Sequence, residues 1–175
     1  MKLERLNENN KHFYNDAYSL YVNAFPLIER RDKLNHNIAL TFNDYHFDFI
    51  IKDNNLIGIM LYWEDNDFIF LEHFAILNNL RNNGYGKMAL NLLKEKNKTI
   101  ILEVEQPNDE LTTRRLNFYK RNGFILTNHN HKQLKFRKND QELTLKILSY
   151  PLPINSEEYN KFYNFLHSKV QSENN

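Results

Sequence analysis

A chain of 175 residues that is 41% hydrophobic and 14% aromatic carries enough large side chains to bury a core, which excludes a wholly disordered protein. Its 23 basic and 22 acidic residues leave a net charge of +1, so there is no field for non-specific binding of nucleic acid or an anionic membrane, and any anion site must be local. The absence of cysteine excludes disulfides, thiol nucleophiles and cysteine-ligated zinc or iron–sulfur sites, and fits a reducing, cytoplasmic setting.

Met1 to Leu6 alternates like a short strand, and Phe13 to Phe25 and Arg30 to Leu40 carry helical spacing, with Pro26 as the stop between them. Three β-branched and aromatic runs follow, Tyr45 to Lys52, Leu56 to Glu64 and Phe68 to Ile76, joined by the turn-like Asp53-Asn54-Asn55 and Asp65-Asn66-Asp67. They predict an antiparallel meander. The longest apolar run, Leu56 to Trp63, is far shorter than the ~20 residues of a spanning helix, so no membrane partner is expected. Next come a helix over Gly84 to Lys96, a strand over Thr99 to Glu105, a helix over Leu111 to Arg121, and strands near Phe124 to His129 and Glu142 to Tyr150. Beyond Pro151-Leu152-Pro153, Asn155 and Glu158 form a capping pair. They open a terminal helix whose apolar stripe is Tyr159, Phe162, Tyr163, Leu166 and Val170. A domain over residues 1–150 with a helical extension over 151–175 packed on it is the expected organisation.

Two of only four glycines fall in Arg81-Asn82-Asn83-Gly84-Tyr85-Gly86-Lys87, between a strand and a helix. Glycine lets backbone N–H groups close on a ligand, and the helix start adds unpaired donors and partial positive charge, which together make a pyrophosphate seat. An ordinary loop needing two residues of positive φ is the competing reading. The lysine of a P-loop and the third glycine of a dinucleotide fingerprint are absent from their places.

That Arg-x-x-Gly-x-Gly segment follows a strand ending Glu72-His73-Phe74-Ala75-Ile76. With the later Phe118-Tyr119-Lys120-Arg121-Asn122-Gly123-Phe124, it resembles the GCN5-related N-acetyltransferase (GNAT) superfamily. The resemblance implies an α+β acyl-CoA N-acyltransferase fold: a mixed, twisted, mainly antiparallel sheet of about seven strands flanked by helices, with a C-terminal helix. It implies acetyl-CoA as co-substrate, held by backbone from Arg81, Asn82, Asn83, Gly84, Tyr85, Gly86 and Lys87, with the pantetheine arm along Phe74, Ala75 and Ile76. Thr112 stands where the family often carries an asparagine, which puts one side-chain contact to the arm in doubt. Glu103-Val104-Glu105-Gln106-Pro107 also resembles a subset of bacterial members.

Acetyl transfer to an amine needs a deprotonated nucleophile, a polarised thioester carbonyl and a proton for the departing thiolate. The resemblance places Tyr119 as that acid; a core aromatic is its alternative. Strand alternation puts Phe68, Phe70, Glu72, Phe74 and Ile76 on one face, so Glu72 interrupts an apolar row as a base or as a structural carboxylate at a bulge; His73, on the opposite face, is an alternative base if the strand turns it toward the cleft, and a water relay is another. Glu103 and Glu105, two apart at a strand end, either hold a cationic acceptor or are solvated. His129 and His131 are placed on opposite faces without a third ligand, so no metal site is expected. Glu29-Arg30-Arg31 resembles the family's variable acceptor-side helix start, and a charge cluster at a helix N-terminus explains it as well. The expected activity is direct acetyl transfer to a small-molecule or peptide amine in a ternary complex, by a monomer or homodimer with no nucleic-acid partner; a non-catalytic coenzyme A binding sensor or interaction module is the alternative.

Overall fold

The computed structural model describes residues 1–137 and 140–170. It forms two units: Met1–Leu27 with Leu40–Lys98, and Ile28–Ala39 with the chain from Thr99 onward. Of the expected C-terminal extension, residues 151–170 fall in the second unit and 171–175 lie outside the described residues.

The first unit contains β1 (Lys2–Arg5) and α1 (Tyr14–Ala24). After α2 (Lys33–Ala39), which belongs to the second unit, it continues with β2 (Tyr45–Lys52), β3 (Asn55–Glu64), β4 (Phe68–Ile76) and α3 (Tyr85–Lys94). The expected meander is present: β1, β2, β3 and β4 pair antiparallel in sequence. Asp53 and Asn54 both take positive φ, 49° and 59°, and join Lys52 to its partner Asn55 in the two-residue hairpin geometry that matches strand twist. α1 packs on β3 and β4 through Ala17, Leu20 and Tyr21. α3 meets β1 and β4 and buries Ala89, Leu90 and Leu93. Successive residues of β2 and β3 are buried rather than alternately so.

One buried cluster in this unit is polar. The Tyr62 hydroxyl donates to Asp48 Oδ2 at 3.0 Å, the His46 ring stacks on Tyr62 at 4.4 Å, and Glu64 takes Lys96 at 2.7 Å and Lys98 at 3.0 Å. Burial pushes the Asp48 carboxyl up to about 6 and the His46 imidazole down to about 4, the latter helped by Arg5 and Lys96.

The second unit holds β5 (Thr99–Glu105), α4 (Glu110–Arg121), β6 (Ile125–Leu126), β7 (His131–Lys132), β8 (Thr144–Tyr150) and α5 (Ser156–Phe165), which runs on as a π-helical turn over Leu166–Val170. β8 pairs antiparallel with β5, β6 and β7. The strand expected over Phe124 to His129 is thus cut to two residues, and β7 is an addition. α2 starts later than expected because Asp32 caps it, its Oδ1 accepting from Asn35 N–H at 2.8 Å. The Asn155 and Glu158 capping box is formed as expected. Phe162, Leu166 and Val170 are buried, whereas Tyr163, placed on the same stripe by its spacing, is 39% exposed.

Candidate functional site

The glycine segment lies at the end of β4. Gly84 caps α3 with φ 78°, and Asn82 also takes positive φ, at 65°. Gly86, inside the first turn of α3, is not among the positive-φ glycines, so what it offers is the missing Cβ. The first α-helical bond, Met88 N–H to the Gly84 carbonyl at 3.1 Å, leaves the amides of Tyr85, Gly86 and Lys87 without an acceptor in the helix. A Cβ at Gly84 would meet no atom within 4 Å, so the face over the loop is open. Arg81 folds its Nε back onto the Ile76 carbonyl at 3.2 Å, tying the loop to β4, and Asn83 Nδ2 spans the Leu80 and Arg81 carbonyls. Sequence reasoning missed Lys52, whose ammonium sits 5.1 Å from the Tyr85 ring centroid and adds charge beside the loop.

β4 departs from simple alternation. Leu61 faces His73 while Tyr62 faces Leu71, so Glu72 is the extra residue of a β-bulge. The bulge reverses the parity beyond it: Phe74 and Ile76 share a face with Leu71, and His73 shares one with Phe70, which corrects the expected single row from Phe68 to Ile76. The His73 ring meets Tyr21 at 4.9 Å and Phe25 at 4.6 Å. The Glu72 carboxylate is buried, its side chain 4% exposed, 3.6 Å from His73 Nδ1. Gly58, opposite Ile76 on β3, was another omission: a Cβ there would overlap the Ala75 carbonyl oxygen, so only glycine lets β3 approach this part of β4.

In the second unit, Tyr119 is buried near the end of α4, and burial pushes its phenol up to about 12 while Arg115 works against the rise. Such a phenol keeps its proton at neutral pH. Gly123, φ 83°, stops the helix, with its N–H on the Lys120 carbonyl and Phe124 N–H on the Tyr119 carbonyl. Thr112 is engaged in the capping box of α4, its N–H on Asp109 Oδ1 at 2.7 Å and its hydroxyl paired with the same residue.

Glu105 forms an ion pair with Arg115, and Glu103 Oε1 is hydrogen-bonded to His131 Nε2. His129 and His131 are not on opposite faces: His129 stacks on the Tyr159 ring at 4.2 Å and His131 meets it edge-on at 5.9 Å, since residues two apart in an extended chain share a side. Among the described residues no group of three or more His, Asp or Glu is arranged to hold a metal. Glu29, Arg30 and Arg31 precede α2; the buried Arg31 guanidinium lies 5.2 Å over Phe136, and the Ile28 and Arg30 carbonyls accept from Gln133 and Arg137.

The family model for the acetyltransferase (GNAT) family matches residues 9–124. YjbC of Bacillus subtilis (strain 168), which bears an acetyltransferase name, is 33% identical over 109 residues; the match takes in 61% of this chain and 55% of that protein, so the chain spans about half the length of this relative. A solved structure from Bacteroides thetaiotaomicron, named as a GNAT-family acetyltransferase, is similar with a TM-score of 0.90 at 30% identity, covering 97% of this chain and 98% of its own. A GNAT-family acetyltransferase from Elizabethkingia anophelis, solved with acetyl-CoA bound, is similar in fold, with a TM-score of 0.59 at 20% identity over 86% of this chain and 97% of that one. The expected fold class is the observed one: α+β, with a mixed, mainly antiparallel sheet, flanking helices and a C-terminal helix. No helix among the described residues is long and apolar enough to cross a membrane.

Proposed function

The chain belongs to the GNAT family of acetyltransferases, and from that premise we propose that it moves an acetyl group from acetyl-CoA to a primary amine by direct attack. The observation that carries this reading is the loop from Arg81 to Lys87: an exposed, glycine-capped helix start with amides free of helical acceptors, open space over Gly84, and Lys52 beside Tyr85. A pyrophosphate is the ligand such donors suit. In this reading Phe74, Ala75 and Ile76 offer strand backbone to the pantetheine arm, and an amide of that segment holds the thioester oxygen. Thr112, spent on the cap, adds nothing to the arm.

The neutral amine attacks the thioester carbon and, as the carbon–nitrogen bond forms, passes one proton to Glu72, which returns it through solvent to the Tyr119 phenolate at the end of the cycle. The tetrahedral intermediate then collapses as the carbon–sulfur bond breaks, and the departing thiolate takes the phenolic proton of Tyr119. Burial keeps the Tyr119 phenol protonated at neutral pH, so a proton is present for that last step. No cysteine is present to carry an acetyl group, which favours direct transfer over a covalent relay. In this reading Glu103 and Glu105 serve the acceptor side, and the protein acts in the cytoplasm as a monomer or homodimer.

Calorimetric titration with acetyl-CoA tests the carrying observation. Gly84→Asp keeps a residue type that tolerates positive φ and sets a negative charge where the pyrophosphate would lie. The expected loss of affinity is about tenfold or more. Unchanged affinity in a folded variant would remove the loop from the account.

A further inference from the structure

Glu103 and Glu105 share a strand but are held in different ways. Glu105 pairs with Arg115, a cation at every working pH, so its charge is cancelled on α4. Among the described residues, Glu103 is held from one side only, through Oε1, by Nε2 of His131. His131 is fully buried, whereas the Glu103 side chain keeps 15% exposure. The other ring nitrogen, Nδ1, lies 3.0 Å from the Tyr159 hydroxyl, which is in turn 3.4 Å from the Asn130 carbonyl. Phe162 and the stacked pair of His129 and Tyr159 pack around the ring.

A carboxylate can only accept, so in the neutral imidazole the proton stands on Nε2 and the Tyr159 hydroxyl donates to Nδ1. Both ends of the ring are then fixed, and with them one oxygen of Glu103. The second oxygen is left to a partner from solution. A strand carboxylate anchored through a buried imidazole to a hydroxyl on a separate helix is a rigid hydrogen-bond acceptor for an ammonium group, just as a hydrogen bond to the far nitrogen of a metal-binding histidine fixes its ring.

We propose that Glu103, and not Glu105, is the carboxylate that seats the cationic group of the acceptor, with His131 and Tyr159 as positioning residues that fix its geometry. This rests on the transferase reading above and deepens it by naming the acceptor class: an amine that carries a second positive centre besides the one acetylated. Nothing in the resemblance assigns His131 or Tyr159 a role.

The test uses the full chain with acetyl-CoA at pH 8. Diaminobutane serves as the dicationic probe, butylamine as its analogue without the second charge, and a panel of neutral and acidic amines as the control. Glu103→Gln is expected to raise KM for diaminobutane about tenfold or more, the loss of a charge-assisted hydrogen bond, while kcat and KM for acetyl-CoA stay within about twofold and butylamine is little affected. His131→Leu should do the same, and His131→Gln, whose amide N–H replaces the Nε2 donor, should restore most of the loss. Should His131→Leu fail to fold, Tyr159→Phe, which removes one hydroxyl from a half-buried ring, carries the positioning claim by its own rise in diaminobutane KM. An unchanged diaminobutane KM in Glu103→Gln overturns the inference. So does an equal rise for diaminobutane and butylamine, or a silent Tyr159→Phe together with a His131→Gln that rescues nothing. Wild-type protein that acetylates neutral or acidic amines but not diaminobutane overturns the inference and leaves the transferase; wild-type protein that acetylates nothing overturns the proposed function, and this inference with it.

Discussion

The backbone carbonyl of Tyr119 accepts the N–H of Phe124 at 3.1 Å while the two rings meet edge-on at 5.6 Å. The helix that carries Tyr119 is therefore closed by the same residue, and Gly123 between them supplies the left-handed turn that makes both contacts fit. What reads as a motif in one dimension is a helix stop that fixes the phenol's position in three.

Gly123→Ala should therefore destabilise the protein by about 1–2 kcal/mol, the cost of a left-handed residue with a Cβ. Space is not the cause: a Cβ there would sit 3.5 Å from the Tyr150 ring, in ordinary contact. Urea denaturation measures the loss, and a change within about 0.3 kcal/mol would mean that the turn relaxes without strain.

Gly58→Ala should cost more, because here the added methyl overlaps the Ala75 carbonyl oxygen and the β3–β4 pair must spread. A loss on the order of 1–3 kcal/mol is expected, as for other overpacked sites. Since Ala75 belongs to the strand segment assigned to the pantetheine arm, weaker acetyl-CoA binding should accompany it, read by calorimetry on the folded fraction.

Much of this was legible in the sequence, and the failures have physical causes. Runs rich in β-branched and aromatic residues marked β2, β3 and β4, and the Asn155 and Glu158 pair marked the start of α5, because those signals are local. A bulge was one reading of Glu72, but its effect on the faces stayed hidden: period-two counting assumes an unbroken ladder, and one extra residue reverses every side chain after it. β7 was hidden because two residues carry no period, and its existence depends on β8, far along the chain. Glu103 and Glu105 looked like a matched pair until their partners, His131 and Arg115 on different elements, were placed.

The polar cluster on β2 and β3 sets an acid response. The His46 imidazole is depressed from 6.5 to about 4, so the stability it contributes is complete above pH 6.5 and is lost as pH falls through about 4. The Asp48 carboxyl is raised from 3.8 to about 6, so its contribution is complete below pH 3.8 and is lost as pH rises through about 6. Between about pH 4 and 6 the two oppose each other. Asp48→Asn should steepen the acid loss of stability and His46→Gln should reverse its slope, each by an amount on the order of 1–3 kcal/mol across the window. Urea titrations at several pH values across that window check it; parallel slopes in both variants and the wild type would contradict these assignments.

Glu72→Gln addresses the base. It preserves size at the bulge beside His73 and removes the basic oxygen. If Glu72 takes the amine proton, kcat should fall about 10²-fold or more and the rise of rate with pH should flatten. An unaltered profile would leave Glu72 as a structural carboxylate and move the search for the base to His73 or a water.

The most direct measurement of the central claim follows acetyl-CoA and an amine panel by mass spectrometry, with wild type and Tyr119→Phe side by side and acetyl-CoA affinity measured on both. The account expects wild type to release one coenzyme A for each acetylated amine, and Tyr119→Phe to bind acetyl-CoA as tightly but turn over about 10²-fold more slowly. Wild-type protein that binds acetyl-CoA and acetylates no amine would contradict transfer and favour a coenzyme A binding module; full turnover by Tyr119→Phe would return that residue to the core.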